Sequence, residues 1–359
     1  VPGPPANPFD PEAYEAWLAS FAGAGTALPD LRSPIWRDIY LRESTRIQAA
    51  QGAGRSTRQP DPGDERNLAL RALVFGQRTA LVVQGLVAPG DWLDRRVVDV
   101  GAGTGPVAWT AARAGAPRIA CLEHGAAERA WLARLLPTLP AEAAQLAGSA
   151  SPTAFRAARP SDLWVFGASF HELTGGDAAR GAALLRPLLA RGARALIVEP
   201  GTRPVARHLQ AVRDRLSTFV RRPCRGAPAC PRLQEPDGWC HFTWRRSLGP
   251  AATAVLQSAG RHANVVHFAY LELDPAGGSK FGGRLLEVRP RGKRRLDLAL
   301  CGPQGIERVG VGPRPKGLRK WGEGLEAGSL LELPGHPAPE TEPRWLQAPL
   351  AIRGGPRST

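Results

Sequence analysis

The chain has 359 residues, 43% of them hydrophobic and 22% charged, which excludes wholesale disorder and leaves room for two units plus tails. No apolar run approaches the roughly 18 to 20 residues of a membrane helix, and five cysteines are too few for a secreted disulfide scaffold. Acids precede any base at the amino terminus, so no signal or transit peptide is expected and a cytoplasmic protein is the economical reading. The net charge of +15 is lopsided. Residues 201–330 carry 23 bases against 10 acids, whereas residues 1–200 carry 21 against 19. A concentrated positive field draws polyanions, and phosphate backbones are the commonest of these.

In chain order, residues 1–90 read as a helical region. Apolar positions recur at three to four residues through Tyr14, Trp17, Leu18 and Phe21, then through Leu70, Leu73, Val74, Leu81 and Val82. A Gly/Pro-rich stretch from Gln51 to Asp64 separates them as a loop. Residues 91–280 alternate between strands and helices. Strands are expected at Val97–Val100, Ile119–Glu123, Asp162–Gly167 and Ala195–Glu199. Helices are expected up to about Ala114, over Ala126–Leu136 and over Ala178–Ala190. Such alternation implies right-handed βαβ units and a parallel sheet covered on both faces. The rhythm breaks into a Pro/Arg/Cys-rich insertion over 219–246, then resumes with a helix near Ala251–Ser258 and a strand near Asn264–Leu273. Residues 281–333 read as a basic, β-rich extension, with strands at Arg284–Val288 and Leu296–Cys301, and 334–359 as a loose tail.

Gly101-Ala-Gly103-Thr-Gly105 stands directly after the strand Val97-Val-Asp99-Val100 and before a helix. Glycine permits a tight turn and lets a ligand approach the backbone, while a helix amino terminus is electropositive. Glu123 closes the next strand, where an acid can accept hydrogen bonds from ribose hydroxyls. The spacing is not that of the dinucleotide fingerprint. Asp-Val-Gly-Ala-Gly-Thr-Gly instead resembles motif I of class I S-adenosylmethionine methyltransferases. The resemblance implies a Rossmann-like methyltransferase sheet. It also implies a cofactor site in which Asp99 orients the loop, Gly101, Gly103 and Gly105 admit the methionine and ribose parts, and Glu123 binds the ribose.

The methyl acceptor is less legible. The segment Phe166-Gly-Ala-Ser-Phe-His171-Glu172 occupies the place where methyltransferases present substrate groups. It lacks both the Asn/Asp-Pro-Pro-aromatic pattern of exocyclic-amine enzymes and a Pro-Cys nucleophile. His171 and Glu172 are weak candidates for a base or substrate contact, against a capping or packing role.

Cys121 belongs to a buried strand. The other four are Cys224, Cys230, Cys240 and Cys301, and the first three fall within one 17-residue stretch inside the basic insertion. Four thiolates can hold zinc or an iron–sulfur cluster; free or redox-active thiols are the third reading, and spacing alone leaves all three open. The segment Ala229-Cys230-Pro231…Gly238-Trp239-Cys240-His241-Phe242, downstream of Glu199-Pro-Gly-Thr202, resembles the Rsm-twenty-two family. These are methyltransferase-like proteins of the mitochondrial small ribosomal subunit and their bacterial relatives. Leu298-Ala-Leu-Cys301-Gly and Lys320-Trp-Gly322 resemble the family's later segments. The resemblance implies a [4Fe–4S] cluster on the four cysteines and a role in assembling the small ribosomal subunit, in contact with ribosomal RNA.

Arg221-Arg222, Arg245-Arg246 and the run Arg289–Arg295 bracket the insertion, with Trp239, Phe242 and Trp244 available for stacking on bases. Together these readings and the resemblance imply an S-adenosylmethionine-binding, cluster-carrying assembly protein of the small ribosomal subunit that methylates ribosomal RNA. Its rivals are a non-catalytic assembly factor using both ligands structurally, and a zinc-containing methyltransferase of small molecules or proteins.

Overall fold

The computed structural model describes residues 9–21, 34–52, 65–139, 144–149, 151–224, 229–277, 283–290, 296–302, 305–311, 330–331 and 344–346. The expected loop over 53–64, the basic run 291–295 and Lys320-Trp-Gly322 lie outside the described residues, as does the tail apart from 344–346.

The amino-terminal region is helical, with α1 (Pro11–Phe21), α2 (Pro34–Gly52), α3 (Glu65–Leu70), a π-helical turn (Arg71–Gly76), α4 (Gln77–Leu86) and α5 (Pro89–Leu93). Its periodic positions do not form a separate core. Tyr14, Trp36, Leu73, Val74 and Val83 are buried in one cluster with Val97, Val165 and Leu196 of the sheet. Glu15 is buried too, because its carboxylate accepts the Ala251 and Ala252 amides, each at 2.9 Å. These open α13 (Pro250–Ser258), so the acid caps that helix from the other end of the chain.

The main sheet contains β1 (Arg96–Val100), β2 (Arg118–Leu122), β3 (Ala144–Gly148), β4 (Asp162–Gly167), β5 (Arg194–Pro200), β6 (Val220–Arg222), β7 (Phe242–Arg245) and β8 (Val265–Leu273). The order is β3-β2-β1-β4-β5-β8-β6, with β7 also on β8. The first five strands are parallel, and β8 runs antiparallel to β5. Between the strands lie α6 (Pro106–Arg113), α7 (Ala126–Leu135), α8 (Pro152–Arg156), α9 (Phe170–Thr174), α10 (Ala178–Ala190), α11 (Arg203–Arg215) and α12 (Pro231–Gln234). Phe155, Trp164, Phe166, Phe170, Leu185 and Leu209 fill the second core, on the opposite face of the sheet. A second sheet holds β9 (Gly283–Pro290), β10 (Leu296–Gly302), β11 (Gly305–Val311), β12 (Leu330–Leu331) and β13 (Arg344–Leu346), in the order β12-β9-β10-β11-β13. No helix of the described residues is long and apolar enough to cross a membrane.

Two features of the main sheet position everything that follows. First, β6 and β7 share the outer edge of β8. β6 covers Glu272 and Leu273, β7 covers Val265–Phe268, and the edge at residues 269–271 lies between them. The Pro/Arg/Cys-rich insertion fills that gap. Second, the amino-terminal ends of the strands are latched by arginines. Arg96 is bidentate on the buried Asp162 at 2.9 and 2.6 Å, and Arg194 pairs with Asp91, Glu272 and Asp274. Arg222 also pairs with Glu272 and donates to the Leu86 carbonyl at 2.6 Å.

Phe242 and Trp244 are each only 2% exposed and lie in the core, so the expectation that they stack on bases is corrected. They alternate with outward residues along β7, and their rings pack against Phe268. Arg222 is likewise an internal latch rather than part of a basic face.

The Arg194 side chain is 5% exposed and joins three carboxylates. Arg194→Met is therefore expected to destabilise the fold by about 3 kcal/mol, read from chemical denaturation. A loss below about 1 kcal/mol would show that Arg222 and Arg221 suffice for the latch.

Candidate functional site

The glycine turn follows β1 at the carboxyl ends of the parallel strands. Gly101, Gly103 and Gly105 have φ of +65°, +53° and +83°, the left-handed region that L side chains rarely adopt. A methyl group at Gly101 would sit 2.5 Å from the Ser169 Cβ, and at Gly105 3.0 Å from Leu135. At Gly103 it would meet only the Gly101 carbonyl, at 3.8 Å. Gly101 and Gly105 are thus required by packing, whereas Gly103 leaves space above the turn. That space belongs to a cavity of about 440 Å³, walled by Val100–Thr104, Glu123, His124, Glu128, Gly167–Ser169, Glu172 and Pro200, with Phe75 and Thr79 from the helical region.

Asp99 does not line this cavity. It is buried below the turn, where its carboxylate accepts the Ala108 amide in the first turn of α6. Burial, reinforced by the nearby Glu123 charge, pushes its pKa up to about 8. Glu123 does reach the cavity, but its oxygens are engaged. Oε2 accepts the Gly103 amide at 2.8 Å, and Oε1 accepts the His124 and Gly125 amides at 2.6 and 2.7 Å. The acid at the end of β2 therefore ties the glycine turn to the next loop.

The wall opposite is built from β4 and α9. Ala168 has φ +60°, an uncommon conformation for a residue with a Cβ. Its amide binds the Val198 carbonyl at 2.7 Å, and the Ser169 hydroxyl binds the Val100 carbonyl. These bonds hold the strained corner against the glycine turn. The two weak catalytic candidates part here. Glu172 lines the cavity. His171 is turned away into the protein, its Nδ1 3.3 Å from the His208 Nδ1, and it packs edge-on against that ring. Burial, with the neighbouring His171, lowers the His208 pKa to about 4. Glu199, quoted above only as part of the Glu-Pro-Gly-Thr segment and given no site role, accepts the Phe170 and His171 amides at 2.7 and 3.1 Å and so caps α9. Burial raises its pKa to about 8.

The second constellation lies in the gap on β8. Cys224, Cys230, Cys240 and Cys301 line one small cavity of about 30 Å³, together with Gln210 and Arg213 of α11, Ala269, Tyr270 and Leu271 of β8, and Arg232. Four thiols from two separate parts of the chain, the insertion and β10, therefore meet, and no carboxylate or imidazole is among the lining residues. Gln210 donates to the Cys230 sulfur at 3.0 Å, and Asp214 accepts the Cys230 amide. Arg284, paired across β9–β10 with Cys301, donates to the Pro223 carbonyl at 2.6 Å. Burial raises the thiol pKa of Cys224 and Cys240, and that of Cys301 to about 12. Among the described residues no group of three or more His, Cys, Asp or Glu side chains is arranged to hold a metal ion.

Sequence reasoning missed the groups that support these thiols, all from α11: Arg207, Gln210, Arg213 and Asp214. Arg207 donates to the carbonyls of Glu235, Gly238 and Leu233 at 2.9, 2.6 and 3.1 Å, and more distantly to Arg232 at 3.5 Å. The available signal was Val205, Leu209 and Val212, spaced at three to four residues.

Five parallel strands ending in an antiparallel β8, with a glycine turn after β1, define a Rossmann-like class I methyltransferase fold. Residues 81–314 match the family described as "Mitochondrial small ribosomal subunit Rsm22", and the chain belongs to that family. No curated protein matches it. Among solved structures it is similar to Aeropyrum pernix fibrillarin with natively bound S-adenosyl-L-methionine, at 13% identity over 55% of this chain and 76% of that one, with a TM-score of 0.33. An O-methyltransferase family protein from Burkholderia thailandensis is similar at 13% identity over 68% and 71%, with a TM-score of 0.36. Mitomycin 7-O-methyltransferase MmcR is similar at 16% identity over 74% and 73%, with a TM-score of 0.32.

Two predictions follow from this geometry. Gly101→Ala is expected to abolish ligand binding in the cavity and lower stability by more than about 2 kcal/mol, through backbone strain plus collision with Ser169. Gly103→Ala should carry the strain alone, about 1 kcal/mol. Calorimetric titration with S-adenosylhomocysteine, beside denaturation curves, separates the two; equal effects would contradict the packing argument.

The other concerns pH. Asp99 and Glu199 keep their protons up to about pH 8 when folded, whereas the unfolded carboxyls ionise near pH 4. The folded state then binds more protons, so stability falls as pH rises towards 8. His208 acts in the opposite sense, but only below about pH 6.5, where the unfolded imidazole takes up its proton. Between about pH 6.5 and 8 the Tm should fall, and Glu199→Gln should remove roughly half of that slope. An unchanged slope in the variant would show that Glu199 ionises normally.

Proposed function

We propose that this chain binds S-adenosylmethionine in the 440 Å³ cavity and acts on ribosomal RNA of the assembling small subunit, with a [4Fe–4S] cluster on Cys224, Cys230, Cys240 and Cys301. The observation that carries the cofactor reading is the positive-φ glycine turn with open space over Gly103. The cavity also has the size of a small-molecule site. Gly101, Gly103 and Glu123 would hold the cofactor's methionine and ribose parts, and Asp99 and Gly105 would fix the turn beneath them. When bound, the cofactor supplies an electrophilic methyl group. The protein's contribution to transfer is positioning, because Glu172 is the titratable side chain that β4 and α9 turn towards the cavity.

The thiol set fits a soft-metal group. The four sulfurs line one cavity with no carboxylate or imidazole among its walls, a donor set suited to an iron–sulfur cluster. Arg213 and Arg232 at the cavity suit the negative charge of a tetrathiolate site. Raised thiol pKa values mean that loading releases protons. Held against the basic segment, the cluster would brace an RNA-binding surface.

A second reading, a non-catalytic assembly factor, is favoured by one observation. His171 is buried against His208, which leaves the acceptor wall without an imidazole base.

Anaerobically purified protein is expected to contain about four irons and four sulfides per chain, and Cys240→Ser should lose them. One zinc without iron would overturn the cluster. Incubation with small-subunit RNA or immature particles and labelled cofactor separates the two readings. Multiple-turnover methylation, abolished by Gly101→Ala, supports the enzyme. Cofactor binding without turnover supports the assembly factor.

A further inference from the structure

The rim where the donor cavity meets the cysteine insertion carries a group of rings that neither site uses. Trp239 and His241 are stacked, with centroids 5.2 Å apart and planes 18° from parallel. His241 lies 6.2 Å from His267. The His267 ring is exposed, and the Thr243 hydroxyl holds its Nδ1 at 2.9 Å, so its orientation is set before any partner arrives. The group is fastened to the cavity wall. The Trp239 indole donates to the Gly201 carbonyl at 3.2 Å, and the Gly201 amide donates to the His267 carbonyl at 3.2 Å. Pro200, the preceding residue, lines the donor cavity.

A cation completes the rim. Arg78 stands beside Thr79, which lines the cavity, and is hydrogen-bonded with Tyr40. The Tyr40 ring stacks on Phe75, another wall residue, at 5.9 Å and 17°. Arg78 is near enough to His267 for its charge to lower that imidazole's pKa, after the larger effect of burial. Among the described residues no carboxylate is paired with Arg78. An exposed, pre-oriented aromatic ring beside a guanidinium that pairs with no carboxylate among the described residues is suited to an unstacked base with its phosphate. An acidic or aliphatic peptide would leave one of the two unmatched.

We propose that this rim docks one unstacked RNA base: the His267 ring, backed by His241 and Trp239, takes the base face, and Arg78 takes the adjoining phosphate. The target nucleotide would thereby be placed at the mouth of the donor cavity. The inference rests on the RNA reading above and adds the residues that select a single-stranded segment.

The test uses the full-length protein and a single-stranded RNA octamer carrying one aminopurine, whose fluorescence is quenched when it stacks. The wild-type protein should bind and quench. His267→Ala should bind about tenfold more weakly and lose the quench, the effect of one lost stacking partner, whereas His267→Phe should retain both. Arg78→Gln should weaken binding and reduce the salt slope by about one. Undiminished S-adenosylhomocysteine binding by each variant confirms that it is folded. RNA binding without quenching, or an unchanged His267→Ala, overturns the base-docking rim and leaves the RNA reading standing. Failure of wild-type protein to bind RNA at any salt concentration overturns both.

Discussion

One guanidinium holds the irregular part of this molecule in place. Apart from the short α12, the described residues between β6 and β7 form no helix or ladder, so their carbonyls need donors from elsewhere. Arg207 supplies them, reaching the Glu235, Gly238 and Leu233 carbonyls from the middle of α11. Arg203 pairs with Asp237 at the helix start, but that pair is exposed and contributes little. The same helix places Gln210 on the Cys230 sulfur and Asp214 on the Cys230 amide. It begins just after Gly201, whose carbonyl receives the Trp239 indole. A rigid α11 therefore sets the thiols, the aromatic rim and one end of the donor cavity in a single frame.

The sheet explains why two sites coexist. Parallel strands gather their carboxyl ends on one edge, and ligand clefts open there. The opposite edge is latched by arginine–carboxylate pairs through Asp162 and Glu272, so the polar work at the two ends differs. The antiparallel β8 adds a lateral edge that the parallel strands lack. Because β6 and β7 each cover only part of it, residues 269–271 face the cysteines. The glycine-turn cavity and the thiol cavity thus lie on different borders of one sheet, with α11 between them.

The legible features were those whose chemistry is local. The glycine turn, the strands Asp162–Gly167 and Arg194–Pro200 and the helix Ala178–Ala190 lie where hydrophobic pattern and turn residues place them. The cysteines could be grouped by type, but the meeting of Cys301 with the other three depends on β9 and β10 docking, which spacing does not encode. α11 escaped because arginines interrupt its apolar stripe, although Val205, Leu209 and Val212 are buried on one face. Phe242 and Trp244 read as stacking residues for the converse reason: composition shows an aromatic, whereas only strand alternation and the position of β8 show which face it occupies.

Charge is divided by role across the molecule. The buried acids near the cavity bind backbone. Asp99 holds the start of α6, Glu123 the glycine turn, and Glu199 the start of α9. Each satisfies amides that a helix or turn leaves without partners, which fixes the loops around the cavity. Arg213 and Arg232 meet the thiol cavity, and Arg78 meets the donor rim. With Asp99, Glu123 and Glu199 committed to backbone amides, the part left to the protein under the proposed function is positioning, with the electrophile supplied by the cofactor and the nucleophile by the acceptor.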